Sequence, residues 1–223
     1  MIAVVLDRSH ARFFDVTERE ATELSCITSP ATRGGRFHSD RHGSPGQGER
    51  TYDHRKTEEA RRHFAVVARH LAALTRARPA DGILIAGPGT VAAVFRRALP
   101  PGLAQRVIGA AKLTPTDPAQ LSPQRVHDLA RAASERDASA RVAAAVTALL
   151  EGLGKNRATN GPADTLRALG RGRVRTLLVR GDVHGTSLGA ATKTARRQKA
   201  EVLVVRDPKL ASRIDGIAAL LRF

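Results

Sequence analysis

Short apolar runs at residues 2–7, 11–16 and 22–28, separated by polar residues, predict three strands in an antiparallel meander, with Asp7-Arg8-Ser9-His10 as the first turn. The pattern then stops. From Arg33 to Arg55 the sequence shows no apolar periodicity, and a gap of about 25 residues far exceeds the usual connection of roughly 4–6. Inside a compact domain such a segment is either functional or disordered. Helical periodicity resumes near Lys56 and runs to Arg76, with Ala60, Phe64, Val67, Leu71 and Leu74 on one stripe. Arg61, Arg62, Arg69 and His70 fall largely off that stripe, as a solvated face or as a contact for RNA.

After Pro79 the pattern reads strand (82–86), turn (Gly87-Pro88-Gly89-Thr90), helix (91–99) and strand (106–113). A glycine turn opening a helix can hold phosphate on free N–H groups. This one lacks the GxGxxG and Walker spacings, so an ordinary tight turn is expected. Ser122-Pro123 places a serine N-cap and a first-turn proline at the start of a long helix. Its stripe is Val126, Leu129, Ala130 and Ala133, then Val142, Val146, Leu149 and Leu150. Residues 1–151 therefore read as one mixed α/β domain, and the glycine- and asparagine-rich stretch 152–163 as a linker. Residues 164–223 follow with helix 164–169, strand 174–179, helix 188–199, strand 201–205 and a closing strand 217–221, a small α/β sandwich.

Charge changes the picture. The net charge of +16 over 223 residues calls for a polyanionic partner: nucleic acid, the ribosome or an anionic membrane surface. Residues 161–223 carry 13 Lys and Arg against 5 Asp and Glu, a denser excess than the 24 against 16 of residues 1–160. The lone Cys26 excludes an intramolecular disulfide and falls in a strand-like run, as a small core residue. Asp7 and Arg8 interrupt the opening apolar run, so no signal peptide is expected, and no apolar stretch approaches the roughly 20 residues of a membrane span. The expected location is cytoplasmic, with no membrane partner. The seven aromatics are too few and too core-like for a base-stacking platform, although Phe37 and Tyr52 flank the unpatterned segment.

That segment, about residues 29–55, is basic and rich in glycine. Arg33, Arg36, Arg41, Arg50, Arg55 and Lys56 stand against Asp40, Glu49 and Asp53, around a centre of Ser44-Pro45-Gly46-Gln47-Gly48. Glycines allow bare backbone to approach a partner, and the cations suit a phosphate-lined crevice. Extended as an arm, its tip would reach roughly 40 Å at about 3.3 Å per residue. His38, His42 and His54 lack the cysteines or helical spacing of a zinc site, and Ser44 lacks a Gly-x-Ser-x-Gly elbow, so no metal or other cofactor is expected.

The arm and following helix resemble the central domain of the archaeal and eukaryotic class 1 peptide-chain release factor (Pelota-like) superfamily, above all its bacterial members. The opening Ile2-Ala3-Val4-Val5-Leu6-Asp7 with Ala11-Arg12-Phe13-Phe14, and the ending Gly216-Ile217-Ala218-Ala219-Leu220-Leu221-Arg222-Phe223, are similar too. The resemblance implies a ribonuclease H-like central domain, followed by a small domain like those of kink-turn-binding ribosomal proteins. It also implies that the arm enters the peptidyl transferase centre, where a Gly-Gly-Gln motif promotes hydrolysis of peptidyl-tRNA. On this chain the catalytic roles fall on Gly46 and Gln47, and RNA contacts on Arg33, Arg36, Arg41, Arg50, Arg55, Lys56, Arg61 and Arg62. Pro45 stands where the motif has its first glycine.

The implied partners are the ribosome's large-subunit RNA and peptidyl-tRNA, with a translational GTPase or a separate decoding chain left open. The resemblance starts at the central domain, so no counterpart of the release factors' codon-reading domain is expected. A rescue factor that hydrolyses peptidyl-tRNA is the leading expectation. A non-catalytic factor occupying idle ribosomes, as in hibernation, is the alternative. A metal-dependent nuclease stands third, because that fold needs clustered carboxylates and only Asp7 and Asp15 offer themselves.

Overall fold

The computed structural model describes residues 1–30, 47–78, 80–113, 118–183 and 186–222. The chain divides into two units, Met1–Glu135 and Arg136–Phe223. In the first, β1 (Ile2–Leu6), β2 (His10–Val16) and β3 (Ala21–Thr28) form the expected meander. Helix α1 (Gln47–Ala77) leads to β4 (Ile83–Pro88), α2 (Val91–Ala98), the short α3 (Pro101–Ala104) and β5 (Val107–Leu113). Helix α4 (Pro123–Leu153) completes the unit with its first half. The sheet order is β3-β2-β1-β4-β5, with β1 antiparallel to β2 but parallel to β4.

All of β1 is buried because both faces of this central strand are covered. Ile2, Val4 and Leu6 pack with Phe64, Val67 and Leu71 of α1 and Phe95 of α2. Ala3 and Val5 turn the other way, toward Val126, Ala130 and Ala133 of α4. On that second face a Cβ built on Gly109 of β5 would lie 2.8 Å from the Ala133 Cβ, so only glycine lets the helix approach this closely. Ser122 accepts from the Arg125 N–H at 3.3 Å, which fulfils the expected N-cap.

The second unit holds β6 (Ala158–Asn160), α5 (Pro162–Gly170), β7 (Val174–Arg180), α6 (Thr186–Arg197), β8 (Glu201–Val205), α7 (Pro208–Ala211) and β9 (Ile217–Leu221). Its sheet, β6-β9-β7-β8, packs against α5 and α6 on one face through Ala168, Leu169, Ala191 and Ala195. The second half of α4 covers the other face through Ala145, Val146 and Leu149. Both units are mixed α/β, as expected.

Four expectations need correction. Helix α1 begins at Gln47 rather than near Lys56, because Gln-Gly-Glu-Arg-Thr-Tyr-Asp-His-Arg permits a helix without giving it an apolar stripe. Cys26 is exposed, since β3 is the edge strand and Cys26 lies on its open side. Leu150 is 46% exposed, about 100° round the helix from the buried Leu149. The stretch 152–163 contains β6, whose residues pair with β9, and the first residues of α5.

Candidate functional site

Two elements flank the segment expected to form an arm. Strand β3 ends at Thr28, and α1 starts at Gln47. Gly46, Arg33, Arg36 and Arg41 lie outside the described residues. Gln47 is the first residue of α1, with Arg50 in its opening turn. Arg55, Lys56, Arg61 and Arg62 follow on the same helix, all exposed. One carboxylate, Glu58, serves both Arg61 (3.7 Å) and Arg62 (3.5 Å).

The exposed side of α1 has an order that the apolar stripe does not reveal. Arg55, Arg62, Arg69 and Arg76 recur at intervals of seven residues, and all four are exposed. Seven residues are two turns, so these arginines form a row with a rise of roughly 10.5 Å per step. The spacing is visible in the sequence once cations are read with the same period as apolar residues. His70, by contrast, does not belong to a solvated face. Its Nε2 lies 2.8 Å from the Ser25 hydroxyl, and its ring meets Phe13 edge-on at 4.7 Å.

Where β3 ends beside α1 lies a polar cluster. Asp7 Oδ1 accepts from the Ser9 and His10 N–H groups at 2.6 Å each and from the Ser9 hydroxyl at 3.2 Å. Burial pushes the Asp7 carboxyl up, but these donations outweigh it and hold the group below its ordinary value. Ser29 donates its N–H to the Ser9 carbonyl at 2.7 Å. Its hydroxyl lies 2.7 Å from Nδ1 of His63 on α1. His63 is 1% exposed, its Nε2 has no hydrogen-bond partner among the described residues, and burial lowers its pKa.

The carboxylates considered for a nuclease do not meet. Asp15 pairs in register with Ile2 and Asp7 follows Leu6, so the two stand at opposite ends of the β1–β2 ladder, roughly 17 Å apart at about 3.3 Å per residue. Asp15 forms an ion pair with Arg78 at 3.1 Å. At the Gly87 turn, a Cβ would lie 2.6 Å from the Leu6 carbonyl oxygen, so packing accounts for that glycine.

The profile of bacterial archaeo-eukaryotic release factor family 10 matches residues 1–135, the whole of the first unit. The chain belongs to this family. A chain from the structure of ribosome-bound archaeal Pelota and ABCE1 is similar at 23% identity and a TM-score of 0.61, covering 100% of this chain and 61% of its own. Dom34 of S. cerevisiae, a translation termination-like factor involved in RNA quality control pathways and interacting with Hbs1, is similar at 15% identity and a TM-score of 0.55, covering 100% of this chain and 62% of Dom34. At these identities the likeness establishes a Pelota-like fold. This family 10 member spans about three fifths of the length of the chains it matches. No curated protein matches the sequence.

Among the described residues of this release-factor-family chain, the candidate site therefore comprises α1 with its arginine row and the Asp7–Ser29–His63 cluster that joins the ends of β1 and β3 to α1. No helix among the described residues is long and apolar enough to cross a membrane.

Proposed function

We propose that this chain is a ribosome-associated rescue factor that presents Gly46-Gln47 to the peptidyl transferase centre and promotes release of the nascent peptide without reading a codon. The observation that carries this reading is the family membership of residues 1–135 together with a Gly46-Gln47 sequence whose glutamine opens α1. The arginine row on that helix gives the site a charge suited to ribosomal RNA.

The chemistry asks little of ionisable side chains. Hydrolysis of the peptidyl-tRNA ester needs a water in line with the carbonyl carbon and a donor for the oxyanion that develops. The Gln47 main-chain N–H is assigned the oxyanion, its side chain the admission of water over larger nucleophiles, and Gly46 the close backbone approach. A partner of the kind Dom34 has in Hbs1 belongs to the same proposal, and with it the translational GTPase that the sequence left open.

Pro45 favours one alternative. Proline has no N–H and a fixed φ near −65°, so it removes a conformational freedom that the motif's first glycine provides. In that second reading the arm occupies the centre of idle ribosomes without turnover. Sedimentation with empty large subunits and with peptidyl-tRNA-loaded ribosomes separates the two. The rescue reading predicts binding to loaded ribosomes followed by loss of peptidyl-tRNA. Binding to empty subunits with peptidyl-tRNA left intact on loaded ones supports the alternative.

A further inference from the structure

The second unit contains an arginine placed by a break in its sheet. Along β7 the register with β9 steps from Val174↔Leu221 to Thr176↔Leu220, so Arg175 is an extra residue in the ladder. Strand alternation would put residues 174 and 175 on opposite faces and 175 and 176 likewise. The bulge changes this. Val174 packs in the core under α5 and α6, whereas Arg175 and Thr176 both line the α4 side. Bulges re-aim side chains in this way, commonly beside functional sites.

Arg175 is aimed into a concavity of about 470 Å³ formed by the end of α4, the turn after it, β7 and β9. Lys155, Arg157 and Arg222 converge there from two other segments, and Glu151 is the only carboxylate in its lining among the described residues. Lys155, Arg157 and Arg175 are exposed, and none of them forms an ion pair among the described residues. Arg222 is held in place by donating to the Val174 and Gln198 carbonyls at 3.1 and 2.6 Å, which fixes the side chain and leaves it no acidic partner among the described residues. A neighbouring hollow shares Arg175, Ala148 and Leu220 and adds Lys199, so the basic surface continues as a groove.

We infer that this groove is a second RNA contact, in which Lys155, Arg157, Arg175 and Arg222 take consecutive phosphates of an RNA backbone. Convergent cations face Glu151 in the first hollow, and Glu201 of the second is already paired with Arg141, which favours an extended polyanion over a carboxylate ligand; two adjoining hollows suit a strand that continues past one phosphate. The site lies wholly in the second unit and does not depend on the arm or on peptide release.

The test uses the full chain and a fluorescein-labelled RNA duplex of about 20 base pairs, without ribosomes. Lys155→Gln/Arg157→Gln/Arg175→Gln is compared with Arg171→Gln/Arg196→Gln/Arg197→Gln, an equal charge change at exposed residues of or next to α5 and α6, with thermal melting confirming that both fold. The groove variant is expected to weaken binding about tenfold or more and to flatten the log–log salt dependence by about 0.9 for each phosphate that is no longer neutralised, on the duplex-DNA calibration. The control is expected to change affinity less than about threefold. Equal weakening in both variants, or none in the groove variant, overturns the proposal. So do displacement of the duplex by low-millimolar inorganic phosphate, which marks a small-anion site, and a groove-dependent weakening seen only with phosphatidylserine vesicles, which marks a membrane.

Discussion

The Ser29 hydroxyl lies 2.7 Å from Nδ1 of His63, so the residue just after β3 is fastened to α1. Ser29 also donates its N–H to Ser9, which ties the same point to the β1–β2 turn. The junction of β3 and α1 thus depends on a buried histidine whose neutral form burial favours.

Stability should follow His63. Its pKa is lowered from the ordinary 6.5, first by burial, with Asp7 pulling the other way. The unfolded chain therefore binds a proton at higher pH than the folded one, and stability is full above about 6.5 and lost as pH falls through the folded value. Urea unfolding at pH 7.5 and 5.5 should show a loss on acidification that is smaller in His63→Gln. An identical pH dependence in both proteins would remove His63 from the junction's energetics.

Two glycine substitutions should differ in sign. Gly109→Ala puts a Cβ 2.8 Å from the Ala133 Cβ and should cost about 1–3 kcal/mol by overpacking. Gly102→Ala in α3 meets nothing within 4 Å and should stabilise by about 0.5–1 kcal/mol through helix propensity. Denaturant midpoints measure both.

The arginine row should act on ribosome affinity rather than on stability. Arg62→Gln/Arg69→Gln/Arg76→Gln removes three exposed charges and should leave the melting temperature within a few degrees. Sedimentation with ribosomes should weaken by about tenfold and lose part of its salt dependence. For the unaltered chain, 6–10 phosphate contacts would reduce affinity roughly a thousandfold or more between 50 and 200 mM salt. A flat salt response would assign the charge of +16 to something other than RNA.

At the arm tip, Gln47→Ala keeps the main-chain N–H and should retain substantial release while losing discrimination among nucleophiles. Gly46→Ala adds a Cβ where backbone approaches the ester and should reduce release about 100-fold, comparable to loss of an oxyanion donor. Pro45→Gly should raise release if proline holds the tip off its reactive geometry. Ribosome binding should survive all three, because charge is unchanged.

Most strands were legible because burial writes a simple pattern: β1 is apolar throughout since both its faces are covered, and β8 and β9 match their expected spans. What escaped has local causes. Residues 47–55 form helix without an apolar face, and the three-residue β6 sits in glycine- and asparagine-rich sequence that reads as a linker. Cys26 has a core residue's chemistry on an edge strand, and His70 looks polar while bonding to Ser25. The inward turn of Arg175 follows from a register step between β7 and β9, which pairs residues far apart in sequence. Gly46 took its catalytic role from the resemblance, Arg33, Arg36 and Arg41 were read from composition and resemblance together, and all four lie outside the described residues.

The central claim is release of peptide by this chain, and single-turnover hydrolysis on stalled ribosome–nascent-chain complexes tests it most directly. Purified protein in excess over complexes with no stop codon in the decoding site should convert peptidyl-tRNA to free peptide, and Gly46→Ala should do so about 100-fold more slowly while sedimenting with the ribosome equally well. Unchanged peptidyl-tRNA with the wild-type chain bound stoichiometrically would contradict catalysis and leave the arm as an occupant of the centre.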